Sequence, residues 1–357
     1  MNTLFSKVKV GHIVLQNRII MGPMTRCRAV GNVANASIKT YYEQRASAGL
    51  IVTECVAISP DSLGYTRIPA MYTDEQEASW KPVTKAVHDK NGHIFMQLVH
   101  TGRIAHLSNM PAGAKVVAPS DGKAKGQIWS DVESMVDHSE AQGLTVEEIK
   151  IIVDDYVAAA KRAIAAGLDG VEIHAASGYL PNQFLSTNAN SRTDEYGGSI
   201  ANRARFVLEI VRAVSQAIGS DKVGIKISPG MSFNDCEVSD AEFIYPYLAQ
   251  ELNEFGLAYL NVFRLPGYGT FDVVPTFRKI YKGTLFFGCA FDYASGEALV
   301  EQGMADGIVF GTAFIGNPDL PERFKTGANL VTADKTTFYT PGDKGYIDYA
   351  PLETATV

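Results

Sequence analysis

The sequence has little of what marks a secreted, metal-held or nucleic-acid-binding protein. Only four cysteines occur in 357 residues. Cys27, Cys55, Cys236 and Cys289 are too widely spaced for a disulfide framework, a paired zinc site or an iron–sulfur cluster, and they read as thiols of a cytoplasmic protein. No Lys/Arg cluster offsets the formal net charge of -7, which excludes nucleic acid and anionic membrane as natural partners and leaves a small molecule. No apolar run approaches the roughly 20 residues of a membrane span. The segment Met1 to Lys9 lacks the apolar core of a signal peptide, so the Asn35-Ala-Ser37 sequon reads as accidental. Two nucleotide fingerprints are missing as well: no strand candidate runs into Gly-x-Gly-x-x-Gly, and no Gly-x-x-x-x-Gly-Lys-Ser/Thr occurs. There is no internal repeat, low-complexity tract or linker. The spacing of His100 and His106 fits no common catalytic zinc site, and no metal is expected. Asp194 and Glu195 sit in a charged turn that fastens a loop ahead of a helix cap at Ser199, which makes them poor candidates for a glycosidase pair.

What is present is an alternation of short apolar strands with longer amphipathic stretches. Strand candidates are Arg18 to Gly22, Leu50 to Glu54, His93 to Val99, Gly170 to Ala175, Val223 to Ser228, Ala258 to Phe263, Thr284 to Gly288 and Gly307 to Gly311. They are largely apolar instead of alternating, as strands are when helices cover a parallel sheet. Thr145-x-x-Glu148 is a capping box, followed by apolar residues at helical spacing and closed by Gly167. Further helices fit Ser37 to Ala48, Thr73 to Lys90, Ser199 to Ile218, Ser239 to Glu254 and Tyr293 to Gln302. Eight such units predict an α/β fold, a single (β/α)8 TIM barrel spanning residues 1–357, ahead of a doubly wound sheet. The Pro- and Gly-bearing stretch 103–143 follows the third strand, and a connection that long is expected to form a lid or pocket wall over the C-terminal mouth.

In such a barrel the polar residues at the strand ends converge, and here they are Thr25, Glu54, Gln97, His100, His174 with Tyr179, Lys226 and Arg264. Taken singly, each is as well explained by structure as by chemistry: His174 as a hydrogen-bonded core histidine, Tyr179 as packing, Lys226 as the counter-ion of Glu172. Gly288-Cys-Ala290 and Gly311-Thr312, after the last two strands, stand where barrels bind phosphate through backbone N–H groups.

The segments Asn17-Arg-Ile-Ile-Met-Gly-Pro-Met-Thr-Arg26, Phe95-Met-Gln-Leu-Val-His-Thr-Gly-Arg103, Val171-Glu-Ile-His-Ala-Ala-Ser-Gly-Tyr-Leu180 and Arg192-Thr-Asp-Glu-Tyr-Gly-Gly-Ser199 together resemble the old yellow enzyme family. Lys226-Ile-Ser-Pro229, Phe314-Ile-Gly-Asn-Pro-Asp-Leu320 and Gly345-Tyr-Ile-Asp-Tyr349 continue the likeness, which runs in order from Leu4 to Pro351. The resemblance implies a barrel that holds FMN non-covalently, is reduced by NADPH or NADH, and reduces an enone, enal or nitroalkene as a monomer or homodimer. It places Pro23, Met24, Thr25, Cys55, Gln97 and Lys226 around the flavin ring, and Ala290, Phe291, Gly311 and Thr312 around its phosphate. It assigns His174 to the substrate oxygen, Tyr179 to proton donation, and Tyr65, Val99, Ser177 and Tyr346 to the substrate pocket. Four positions depart from the family pattern. Ser177 replaces a second Asn or His donor, Lys226 an Arg near the flavin, Thr312 a phosphate-binding Arg, and Val99 a pocket Trp. Those departures leave two other readings beside ene-reduction: a redox-neutral isomerase or cyclase, and a barrel that binds FMN poorly.

Overall fold

The computed structural model describes residues 3–264 and 271–352. Eight parallel strands close into a barrel: β1 (Ile19–Met21), β2 (Leu50–Ala57), β3 (Ile94–Val99), β4 (Gly170–Ala175), β5 (Val223–Ile227), β6 (Tyr259–Phe263), β7 (Leu285–Gly288) and β8 (Gly307–Phe310). Each pairs with its successor, and β8 returns to β1 with Phe310 opposite Met21. That last pairing leaves no edge, which rules out the doubly wound sheet and matches the barrel expected from the sequence.

Around the strands lie α1 (Ala36–Gln44), α2 (Asp74–His88), α3 (Val146–Ala165), α4 (Ile200–Ile218), α5 (Ala241–Leu252), α6 (Val273–Ile280), α7 (Tyr293–Glu301) and α8 (Leu320–Thr326). The capping box at α3 forms as its spacing predicts: Thr145 Oγ1 accepts from the Glu148 N–H at 3.1 Å and Glu148 Oε2 from the Thr145 N–H at 2.9 Å. Its buried stripe, Ile149, Ile152, Tyr156, Ala160 and Ala163, packs on the outside of the barrel. Each large side chain so covered contributes about 1.5–3 kcal/mol. The sequence reading left β6–β7 without a helix; α6 is only two turns long and carries Pro275, which hides its period.

Inside the barrel, the lower half is filled and the upper half is polar. Phe95, Tyr259 and Phe286 cross the lumen, with Tyr259 and Phe286 stacked at 4.7 Å. Gly224 makes room for them, since a Cβ there would lie 2.3 Å from the Tyr259 ring. An antiparallel hairpin, Val8–Val10 with Ile13–Leu15, seals this end with Val10, Ile13 and Leu15. Above the rings, Glu172 accepts from Gln97 Nε2 at 2.7 Å and from Asn261 Nδ2 at 2.9 Å. The barrel therefore opens at the C-terminal ends of its strands.

Residues 103–143 lie over that opening. They contain the antiparallel hairpin Gln127–Ser130 with Ser134–Asp137 and a short parallel pair, Val117–Ala118 with Gln142–Gly143. Arg67 ties the hairpin down, paired with Asp131 while its Nε donates to the Cys27 carbonyl at 2.9 Å. Among the described residues no helix is long and apolar enough to cross a membrane.

Candidate active site

Side chains alternate along a strand, so Gly170, Glu172 and His174 share the inner face of β4. His174 is the uppermost, opposite Lys226 of β5 in register. Both are buried. Burial, with Lys226 adding to it, holds the His174 pKa well below the usual histidine value, so the imidazole is neutral. Its Nδ1 has no hydrogen-bond partner. Burial also lowers the Lys226 pKa, against which the Glu172 carboxylate favours the charged form.

Beyond β4 the chain turns through two left-handed residues, Ser177 (φ 58) and Gly178 (φ 81). The turn is fastened on all sides: Ser177 N–H donates to Ser228 Oγ at 2.8 Å, Asn234 Nδ2 to the Ser177 carbonyl at 2.9 Å, and Gly178 N–H to Asn182 Oδ1 at 2.8 Å. Only glycine fits at 178, because a Cβ would stand 2.5 Å from the Phe233 carbonyl oxygen. The turn returns Tyr179 beside His174, the rings edge to face at 4.7 Å. The Tyr179 hydroxyl donates to the Tyr65 hydroxyl at 3.1 Å. Burial raises the Tyr179 pKa well above that of a free phenol, and Tyr65 adds to the shift.

These side chains face one continuous cleft with three chambers. The outer chamber, about 780 Å³, is walled by Tyr65, Ile104, Ile128, Trp129, Met135, Tyr179 and Tyr339. Thr25, Tyr179, Phe233 and Tyr339 are shared with the central chamber, about 520 Å³, where Pro23, Met24, Gln97, His174, Ser177 and Lys226 also lie. Pro23, Lys226, Phe263 and Thr312 lead on to a third chamber of about 290 Å³ bordered by Cys289, Ala290, Phe291 and Gly311.

Not every candidate from the sequence reaches the cleft. Tyr346 is fully buried, stacked on Tyr41 at 4.2 Å with the Arg28 guanidinium 4.7 Å from its ring centroid, so it anchors the tail and does not line the substrate pocket. Tyr339, in the same tail and unnoticed in the sequence, takes that place. Val99 stands behind the wall, packed in an apolar cluster with Tyr65, Ile104 and Tyr179. Cys55 also lies behind it, its Sγ 3.2 Å from Thr25 Oγ1. Glu54 and His100 line none of the three chambers. Glu54 accepts from the Arg26 N–H at 3.3 Å and its pKa is raised to about 7 by burial. His100 Nδ1 accepts from the Gly102 N–H at 3.1 Å, and burial pushes its pKa down to about 3. The Arg192 guanidinium grips Asp194 and the Pro119 carbonyl, so this turn fastens a loop as its charges suggest. Among the described residues no group of three or more His, Cys, Asp or Glu side chains is placed to hold a metal ion.

Residues 3–330 match the model of the NADH:flavin oxidoreductase / NADH oxidase family. The chain belongs to that family. It is 42% identical over 359 residues to a probable flavin mononucleotide-dependent alkene reductase of Leishmania infantum, covering 98% of this chain and 97% of that protein. It is 40% identical over 361 residues to 12-oxophytodienoate reductase 1 of Oryza sativa subsp. japonica, covering 98% and 93%. Its fold superimposes on morphinone reductase with a TM-score of 0.96 at 42% identity, covering 100% of this chain and 98% of that one. The protein is thus an FMN-dependent oxidoreductase of the old yellow enzyme type, an alkene reductase that draws on NAD(P)H.

The cleft of this old yellow enzyme fits the cofactor. Among the described residues nothing accepts from the backbone N–H groups of Cys289, Ala290, Phe291, Gly311 and Thr312, which border the third chamber. Unpaired donors of this kind suit a phosphate. The central chamber offers Thr25, Gln97 and Lys226 to the polar edge of a flavin ring.

Proposed function

We propose that the protein reduces the carbon–carbon double bond of an α,β-unsaturated carbonyl or nitro compound, with His174 holding the oxygen and Tyr179 donating the proton. FMN, when bound, would supply the two-electron redox chemistry that couples NADPH or NADH oxidation to reduction of the alkene. Pro23 and Met24 would back the cofactor in the central chamber, with Thr25, Gln97 and Lys226 at its polar edge. Ala290, Phe291, Gly311 and Thr312 would hold its phosphate.

The neutral His174 imidazole donates a hydrogen bond to the carbonyl or nitro oxygen of the substrate. Negative charge grows on that oxygen as the β-carbon is reduced, so the bond strengthens toward the transition state. Tyr179 delivers its phenolic proton to the α-carbon, as a general acid whose raised pKa keeps it protonated at neutral pH. The Tyr65 hydroxyl, 3.1 Å away, then turns to donate to the oxygen that has lost its proton. Residues 103–143 form one wall of the outer chamber through Ile104, Ile128, Trp129 and Met135. Ser177 borders the central chamber but presents a shorter donor than Asn, so His174 carries most of the oxygen contact. The chain works as a single FMN-binding unit.

The observation that carries this reading is the pairing of a neutral His174 with a protonated Tyr179, 4.7 Å between ring centroids, on one cleft. Anaerobic incubation with NADPH and 2-cyclohexenone tests it. Cyclohexanone should form in step with NADPH oxidation; NADPH consumption only in the presence of oxygen would sink the proposal.

A further inference from the structure

The third chamber needs positive charge if it is to hold a phosphate dianion, and its rim supplies none from Thr312, whose side chain is neutral. Two cations stand close by. Lys226 borders the chamber, but it is buried between the central and third chambers with Glu172 acting on it and the Phe263 ring 4.6 Å from its Nζ. The other is Arg264, the first residue past β6. Its backbone N–H donates to the Gly288 carbonyl at 3.2 Å, which fixes it beside the end of β7. Its guanidinium carbon lies 5.7 Å from the ring centroid of Phe291, a residue that borders the third chamber.

Arg264 has no acidic partner among the described residues, and its buried Nε makes no hydrogen bond. Leaving a buried charged donor unmade is costly, so the position favours a ligand that accepts from it. Burial raises the Cys289 pKa, and Lys226 and Arg264 both act against that rise, which puts both charges near the β7 exit. That exit is itself strained: Cys289 (φ 79) and Ala290 (φ 59) are consecutive non-glycine residues in the left-handed region. Strain of this sort is kept where a ligand makes use of the backbone. The one acidic side chain next in sequence, Asp292, is occupied as the cap of α7, accepting from the Ser295 N–H at 2.8 Å and the Ser295 hydroxyl at 2.5 Å.

We propose that Arg264, at the end of β6 with its guanidinium over Phe291, is the cation that neutralises the FMN phosphate, with the N–H groups of residues 289–291 and 311–312, unpaired among the described residues, completing the anion site. This assignment rests on the flavin site described above. It moves the phosphate charge of this protein from the start of the helix after β8, where Thr312 stands, to the end of β6, beside the Phe291 ring that borders the chamber. A guanidinium is suited to the task, since its planar fork can meet two phosphate oxygens at once.

The test compares FMN with riboflavin, which lacks the phosphate, by fluorescence titration of the full chain stripped of flavin. Arg264→Gln should weaken FMN binding about 10- to 100-fold and leave riboflavin binding within roughly twofold of its starting value. Adding Thr312→Arg to that variant should restore most of the FMN affinity, because it returns a guanidinium to the chamber at a residue that borders it. Equal weakening of both ligands would make Arg264 a structural residue and overturn the assignment, as would an Arg264→Gln variant that binds FMN as tightly as the unaltered protein. An unaltered protein that binds neither ligand would overturn this assignment together with the flavin site, whereas loss of the riboflavin–FMN contrast alone overturns only the role of Arg264.

Discussion

The two ends of the cleft are built on different principles. At the reacting end, His174, Gln97 and Lys226 stand on the inner faces of β3–β5, and Tyr179 is set by a turn whose N–H and carbonyl groups are all engaged. At the proposed phosphate end the donors are backbone N–H groups of two loops, unpaired among the described residues, with Arg264 near them. One end is preorganised by strand register and burial; the other is completed by its ligand. Changes to His174 and Tyr179 should therefore alter rates with little effect on cofactor retention, and changes at the phosphate end the reverse.

The largest effect expected is that of Tyr179→Phe. Removing a positioned general acid costs about 10²- to 10⁴-fold, and the loss should fall on the alkene step alone, leaving flavin reduction by NADPH near its original rate in stopped flow. Equal slowing of both steps would erase the contrast between chemistry and binding. His174→Ala comes next, with a loss of about 10²- to 10³-fold in enone reduction, as for the removal of one oxyanion donor. Weaker binding of phenols that mimic the substrate oxygen should accompany it.

Ser177→Asn should act in the other direction. Position 177 is left-handed, a conformation Asn tolerates better than Ser, and the amide reaches further into the central chamber. Phenols should bind about tenfold tighter, the yield of one added hydrogen bond at the upper end of its usual range. A smaller effect concerns pH. With the His174 pKa well below its usual value and that of Tyr179 well above, the rate of the alkene step should be flat from about pH 6 to 9; an inflection near the ordinary histidine pKa would contradict a neutral His174.

The smallest change lies away from the cleft. Glu54 has a folded-state pKa raised from 4.5 to about 7, so the stability it contributes is present below about pH 4.5 and is lost as pH rises toward 7. Glu54→Gln should then raise the melting temperature at pH 8 and change it little at pH 4.5.

How much of this was legible in the sequence depended on how each residue is held. The eight strands showed because each is buried on both faces, and His174, Ser177 and Tyr179 showed because one strand and one turn carry all three. Glu54 misled because β2 has a bulge between Val52 and Cys55. Leu50 and Val52 point inward, strict alternation would bring Glu54 in next, and the extra residue sends it outward while Cys55 and Ala57 join the cluster under Tyr179. Tyr339 was missed in favour of Tyr346 because the tail after α8 has no period from which to tell a buried tyrosine from one that lines a cavity. The N–H groups of residues 289–291, unpaired among the described residues, were hidden for a different reason: backbone donors leave no mark in side-chain identity, and the residues in left-handed conformation there are Cys289 and Ala290 instead of the usual glycines.

The most direct test is a single turnover without NADPH. Protein whose flavin has been reduced anaerobically is mixed with 2-cyclohexenone, and the flavin absorbance and the product are followed together. Ene-reduction requires the yellow colour to return with one cyclohexanone formed per flavin; enone consumed while the flavin stays reduced, or colour that does not return, would contradict it.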